Sequence, residues 1–128
     1  MSETKVELQG LWQIGIHVLP AMANVYAEAA GKVDETRNSQ SNLFETPGMP
    51  EGAVSTVFPT FCELRDQLQS LSRRTCINLR DSGAGCAKAA DDFAKNDLSN
   101  AERTEYAAEN KEYGEEYRVT PPENPPAP

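Results

Sequence analysis

The sequence predicts an all-α protein: a long antiparallel helical hairpin, equivalent to half of a four-helix bundle, with an acidic C-terminal helix and a disordered proline-rich tail. Two long segments, residues 4–33 and 60–97, repeat their apolar residues at helical spacing. Between them, Pro47, Gly48, Pro50 and Gly52 fall within six positions, a density that no helix tolerates. We therefore expect a hairpin domain over residues 1–100, an acidic helical extension over 101–118 and a tail over 119–128.

The first predicted helix, residues 4–33, carries a heptad seam that Trp12 and Ile16 widen on one flank. Pro20 interrupts this helix. Because proline lacks an N–H and crowds the carbonyl of Ile16, we expect a kink or a restart near residues 17–20. His17 is placed to donate a hydrogen bond to a carbonyl that Pro20 frees. The seam residues are Leu8, Leu11, Gly15, Val18, Met22, Val25 and Ala29.

The second predicted helix, residues 60–97, follows a loop over residues 35–58 and repeats its apolar and small positions every eleven residues. Eleven residues make three turns, so these rows stay on one face of a nearly straight helix of about 57 Å. We expect the rows to form the core, with Phe93 buried in line with Leu71 and Ser82. Asp97 follows Cys86 in a row where an apolar residue is expected. The glycines of "SGAG", residues 82–85, predict either a bend or the close approach of another backbone.

The C-terminal part of the chain is first acidic and then rich in proline. We expect a loosely held helix over residues 101–118, frayed at Gly114. The polyproline-type sequence over residues 119–128 has no means of forming a core, so it is predicted to be disordered. A cluster of arginines lies upstream, within residues 65–80. These cations either face solvent or pair with an acidic partner or with the acidic segment; they are Arg65, Arg73, Arg74 and Arg80.

The net charge of −8 over 128 residues argues against nucleic acid and anionic lipid as partners, since both require a basic surface. The apolar segment over residues 11–30 is interrupted by His17, Pro20, Asn24 and Glu28. It has too few consecutive apolar residues to span a bilayer, so no membrane insertion is expected. No signal-peptide pattern precedes it. We therefore expect a cytoplasmic protein, and any secretion to proceed without a cleaved signal peptide.

Catalytic and metal-binding patterns are sparse in this chain. The one histidine, His17, rules out most histidine-dependent acid–base chemistry, and no nucleotide-binding, zincin or nucleophile-elbow motif occurs. Three cysteines, Cys62, Cys76 and Cys86, lack the spacing of a zinc site and favour buried thiols in a reduced protein. We expect a protein that is not an enzyme and that has no cofactor and no metal, with a metal- or redox-sensing role for the cysteines as a minor alternative.

The predicted apolar stripe is wider than a two-helix hairpin can bury by itself, so we expect a partner that covers it. The partner would be another helical protein, either a second copy or a different chain. The residues expected at this interface are Leu11, Trp12, Val18, Met22, Leu64, Leu68, Leu71 and Leu79.

The segment "DDFAKNDLSNAE" places Phe93 one turn before Asp97, after two long helices and before an acidic tail. In this arrangement, residues 5–105 resemble the small helical-hairpin proteins of type VII (ESX) secretion systems. The family carries an aromatic-x-x-x-acid export signal after its second helix. The resemblance implies that Phe93 and Asp97 are the export signal, that an export ATPase reads it and that the partner is a helical protein or a larger toxin.

The only tryptophan, Trp12, lies in the first helix, whereas most members of that family have a W-x-G turn. This difference favours a divergent substrate or a toxin-targeting partner. The alternative function is a cytosolic helical adaptor, an immunity protein or a regulatory protein with no export role, in which Phe93 is an ordinary core residue.

Overall fold

A computed structural model describes residues 2–38 and 57–128. The described residues contain helices and no strand, which confirms the predicted all-α class. Most of the predicted loop over residues 35–58, with its prolines and glycines, lies outside the described residues. The helices are α1 (Glu3–Gln13), α2 (Leu19–Glu35), α3 (Phe58–Asp97) and α4 (Asn100–Tyr117). A π-helical turn over Ile14–Val18 joins α1 to α2, and a 3₁₀ turn over Thr36–Asn38 follows α2.

Local sequence signals set the helix starts. The Ser2 side chain accepts a hydrogen bond from the Lys5 N–H at 3.1 Å and caps α1. Ser99 and Glu102 form a reciprocal capping box at the start of α4. Pro59 lies in the first turn of α3, where a missing N–H carries no cost. These caps place the α3–α4 break at Leu98 and Ser99, and α4 folds back from there onto α1.

The irregularity that the sequence predicts near Pro20 is a π-helical turn. The Leu19 N–H donates to the Ile14 carbonyl, five residues back, so the helix widens instead of breaking. Pro20 has no N–H to offer the Ile16 carbonyl. That carbonyl accepts instead from the Val119 N–H in the tail, at 3.1 Å. The predicted hydrogen bond from His17 to this carbonyl is not formed, because His17 Nδ1 lies 2.8 Å from the Tyr117 carbonyl oxygen instead.

The core lies between the α1–α2 segment and α3, which run antiparallel, and it differs from the predicted core. The buried residues of α3 recur at heptad spacing and are small or polar: Arg65, Gln69, Ser72, Cys76, Gly83, Ala90 and Ala94. Apart from Ala90, which belongs to both, the eleven-residue rows lie beside this seam. Leu64, Leu68 and Leu71 are 60%, 52% and 58% exposed, so these rows do not form the core of the single chain, and the three leucines are accessible to the partner for which they are also predicted. Burial of Phe93 is also wrong, since its side chain is 55% exposed.

The physical reason is the close approach of the helices at their crossing. A Cβ built on Gly83 would lie 2.8 Å from the Gly15 carbonyl oxygen, and one built on Gly15 would lie 2.5 Å from the Gly83 oxygen. Two backbones this close leave room only for glycine at the crossing point and for small residues such as alanine beside it, but not for leucine, because side-chain size sets interaxial distance. The glycines of "SGAG" predicted either a bend or the close approach of another backbone, and at Gly83 a backbone approaches closely. This backbone belongs to the protein's own first helical segment. A Cβ on Gly85 would meet no atom within 4 Å.

Helix α4 and the tail cover one side of the antiparallel pair. Gly114 does not fray α4, because a Cβ at this position would lie 3.3 Å from the Trp12 ring, and the helix continues to Tyr117. Residues 118–128 follow an extended path along α2 and α3, with Pro125 buried. This placement differs from the predicted disorder. Prolines lose little backbone freedom on docking, and donors from α2 and α3 supply the hydrogen bonds that the tail cannot make internally.

Candidate functional site: an uncharged open face

The side of the α2–α3 pair opposite the tail is not covered by any described residue, and we call it the open face. The tail hydrogen-bonds to Asn24, Arg73 and Arg80 on the opposite flank of the two helices. Helical periodicity turns the leucines of α3 about 100° or more away from that flank. Large apolar side chains are exposed along the open face from both helical segments: Val18, Met22, Val25, Tyr26, Leu64, Leu68 and Leu71.

The two helices contribute to one continuous surface. Leu64 and Leu68 of α3 line a shallow pocket of about 230 Å³ together with Val33 of α2. Because the helices run antiparallel, Met22 and Tyr26 lie further along the same groove, toward Leu79. The open face is therefore a strip that both helices line.

The α3 side chains of the strip are themselves uncharged along most of the helix, although Arg65 lines the pocket beside Leu64 and Leu68, and Arg74 borders Leu71. On this flank of α3, the side chains from Phe61 to Phe93 are uncharged. They belong to rows that repeat every eleven residues and therefore stay on one face of the helix. The charged residues of α3 before Asp97 project to the other flanks, apart from Arg65, which is in the buried seam. On α2 the matching flank is also uncharged from Val18 to Val33. A long surface without charges favours contact with another apolar surface over contact with water.

The residues predicted to form the interface divide into two groups. Val18, Met22, Leu64, Leu68 and Leu71 are exposed on the open face. The other three, Leu11, Trp12 and Leu79, are half-buried or buried. Val25, a residue of the predicted seam, and Tyr26 are also exposed on this flank, although neither is among the predicted interface residues.

Trp12 is 7% exposed because α4 packs over it. Tyr113 makes an edge-on contact at 6.3 Å between ring centroids, and the Arg118 guanidinium carbon lies 5.9 Å from the Trp12 ring. Leu11 packs against the same cluster of Trp12, Ile16 and Ala90. The apolar surface around Trp12 is therefore covered by the protein's own fourth helix and does not need a partner.

Phe93 and Asp97 both lie exposed on the last two turns of α3. The helix runs through Asp97 and ends there, with Leu98 extended and buried against Ala94 and Tyr106. The four-residue spacing keeps the aromatic ring and the carboxylate on one side of the helix. Asp97 is thus the first carboxylate on the open flank of α3, at the end of the uncharged strip.

An ionic cluster around the buried Lys5 side chain links α4 to α1 on the covered side, with Glu105 and Glu109 partly exposed. The Lys5 ammonium is fully buried and lies 2.8 Å from Glu105 Oε2 and 3.3 Å from Glu109 Oε1, and the Gln9 amide donates to Glu109. The hydrogen bond to Glu105 is the largest of the effects that raise the pKa of Lys5 above its ordinary value. The hydrogen bond from Gln9 and then that from Lys5 hold the pKa of Glu109 below its ordinary value.

The thiols and the histidine are separated in the fold. Cys76 is fully buried, which raises the pKa of its thiol, and Cys62 and Cys86 are partly buried along α3. In the part of the chain that the structure describes, no group of three or more His, Cys, Asp or Glu side chains converges in a way that could hold a metal ion. Nor does any helix of the described residues combine the length and the apolar character needed to cross a membrane.

Comparison with protein families, with curated protein sequences and with solved structures finds no match to this chain.

Proposed function

We propose that this chain is a non-enzymatic interaction protein that pairs with another helical protein through the open face. The observation that carries the proposal is the uncharged strip of exposed apolar side chains along α2 and α3, on the side that α4 and the tail leave free. Leu64, Leu68 and Leu71 recur at the spacing by which a helix packs against a partner helix. In the pair, the two hairpins would complete a four-helix bundle.

We further propose that the complex is a type VII secretion substrate or its targeting partner, with Phe93 and Asp97 as the export signal read by the export ATPase. The exposure of both side chains on the final turns of α3 supports this role, because a recognition signal has to be accessible. The position of Asp97 at the end of the uncharged strip also supports it. A carboxylate at this point would lie next to the paired surface without being buried in it.

A cytosolic adaptor, immunity or regulatory protein is the second candidate, and one observation favours it. The segment after Asp97 does not extend freely from the signal, since α4 folds back and is fixed to α1 by Lys5, Glu105 and Glu109. A compact C-terminal helix suits a protein that stays in the cell and displays only its open face.

Secretion of point variants separates the two candidates. We expect Asp97→Ala to abolish release into the culture supernatant while the intracellular level and the circular dichroism of the protein stay unchanged. The matched control is Asp92→Ala, which removes a carboxylate from the same helix end but from the flank where Asp92 pairs with Lys88. Normal export of Asp97→Ala would refute the signal, and absence of the wild-type protein from the supernatant would favour the adaptor.

A further inference from the structure

The proline-rich tail lies in a groove between α2 and α3, on the covered side of the molecule, which we call the tail groove. Main-chain atoms of the tail take part in most of the contacts. Besides the bond from the Val119 N–H to the Ile16 carbonyl, Asn24 Nδ2 lies 3.5 Å from the Thr120 carbonyl oxygen, and Arg73 Nε donates to the Pro125 carbonyl at 3.0 Å. Of the arginine cluster, Arg73 therefore bonds a main-chain carbonyl of the tail and Arg80 bonds the Asn124 side chain, rather than an acidic residue of the tail.

Gln69 forms the far end of the tail groove and is a built polar site. Its side chain is fully buried. Its amide nitrogen donates to Asp34 Oδ1 at 3.0 Å and to the Pro126 carbonyl at 2.9 Å, and its oxygen accepts from Arg37 at 2.7 Å. The Pro126 carbonyl therefore supplies one of the partners that a buried amide requires.

These contacts define the ligand chemistry that the tail groove selects. A polyproline II segment makes no internal hydrogen bonds, so its carbonyls point outward and are available to donors along a groove. Asn24, Gln69 and Arg73 provide such donors at intervals, and Pro125 is the buried side chain of the segment. Grooves that bind proline-rich ligands combine carbonyl recognition with apolar slots for proline rings in this way.

The groove also has room that the tail does not fill. A pocket of about 440 Å³ lies beside Val119 and Pro121, and its other walls include Trp12, Ile16 and Pro20. Most of the lining is apolar, although Arg80, Asp81 and Asp91 also contribute, so the pocket suits an aliphatic or aromatic side chain of a ligand. The chain after α4 lines it with Arg118, Val119 and Pro121.

We propose that the tail groove is a binding site for proline-rich segments in the polyproline II conformation, and that the protein's own tail occupies it in cis. When the tail is released, a proline-rich segment of another polypeptide binds the same donors. This proposal does not depend on the open face or on export, because it concerns the opposite side of the α2–α3 pair.

The test uses the full-length chain with Pro121, Pro122, Pro125 and Pro126 replaced by glycine, so that the tail no longer favours the docked conformation. The probe is a fluorescein-labelled peptide with the sequence of residues 119–128, followed by fluorescence anisotropy. We expect saturable binding to this variant and at least about tenfold weaker binding to the wild-type chain, whose linked tail competes at a high effective concentration. A glycine-tail protein with native circular dichroism that does not bind the peptide would overturn the proposal.

A substitution and its matched control locate the site. In the glycine-tail background, Arg73→Ala should weaken peptide binding by about tenfold, the loss of one charge-assisted hydrogen bond, whereas Lys88→Ala, distant on the same helix, should leave it unchanged. Equal effects of the two substitutions would contradict the assigned groove. Amide hydrogen exchange of the wild-type protein provides an independent measurement. Protection of the Val119 N–H is expected, and exchange at the rate of a free peptide would refute occupancy in cis.

Discussion

Gly83 and Gly85 lie two residues apart in α3, and alanine at these two positions should have opposite effects on stability. In an exposed helix, replacing glycine by alanine stabilises by about 1 kcal/mol, and both substitutions gain this amount. Only Gly83 has a neighbour: its new Cβ would lie 2.8 Å from the Gly15 carbonyl oxygen and 3.4 Å from Pro20 Cδ. The Gly15 oxygen belongs to a backbone, so it cannot rotate away as a side chain can.

The difference between the two variants therefore measures the packing cost alone, because the gain in helix propensity cancels. Overpacking a close contact costs about 1–3 kcal/mol, so we expect Gly83→Ala to be less stable than Gly85→Ala by that amount. Gly85→Ala should exceed the wild type by up to about 1 kcal/mol. Urea denaturation followed by circular dichroism at the helix band gives both values. If the two variants have the same midpoint, the helices do not cross at Gly15 and Gly83, and the assigned core is wrong.

Three further predictions test the covered side, the exposed ring and the thiols. The pKa of Glu109 is lowered from the ordinary glutamate value of 4.5, so the stabilisation that this carboxylate provides is lost as the pH falls from 4.5 through the lowered pKa. Over this range the amides of α4 should lose hydrogen-exchange protection. Lys5→Met should reduce this acid dependence. Phe93→Ser should change the free energy of unfolding by no more than about 0.5 kcal/mol, because the ring is exposed. A loss of several kcal/mol in urea denaturation would show that the Phe93 ring is buried and would contradict this assignment. A thiol-reactive dye should label Cys62 and Cys86 faster than Cys76, and equally fast labelling of the native protein would contradict the burial of Cys76.

The helices were predictable from the sequence because their signals are local. Prolines and glycines mark the connection, Ser99 and Glu102 have capping-box spacing, and apolar periodicity delimits the two long segments. These features act within a few residues of one another. The bounds Glu3–Glu35, Phe58–Asp97 and Asn100–Tyr117 therefore lie close to the predicted ones, with the π turn as the only interruption of the first segment.

Which flank of α3 is buried could not be predicted in the same way. Burial of the larger residues is the usual assumption, and it pointed to Leu64, Leu68, Leu71 and Phe93. The buried seam instead consists of small and polar side chains, because Gly15 and Gly83 set the distance between the helices. This contact joins residues far apart in sequence, and no local pattern encodes it.

The fate of Trp12 and of the tail also depends on distant contacts. Trp12 is covered by residues about a hundred positions away in the sequence. The Tyr113 ring packs edge-on against it, and Gly114, which has no side chain, leaves space for the indole ring. The tail lacks an apolar core of its own, and its placement depends on Gln69 and Arg73, polar residues whose partners are backbone carbonyls. Composition predicts a polyproline-type segment, but it gives no information about such acceptors. The interface residues on the open face were predicted in part, since periodicity identifies a stripe but not whether it faces inward or outward.

The central claim is that the open face binds a helical partner, and affinity purification from the cells that encode this protein tests it most directly. Tagged wild-type chain is compared with Leu68→Glu, which places a charge in the uncharged strip, and with Lys88→Glu, which alters an exposed charge on another flank of α3. We predict that one helical protein co-purifies in stoichiometric amount with the wild type and with Lys88→Glu, and is lost from Leu68→Glu while that variant keeps its helical circular dichroism. Undiminished recovery of the partner with Leu68→Glu would contradict the claim.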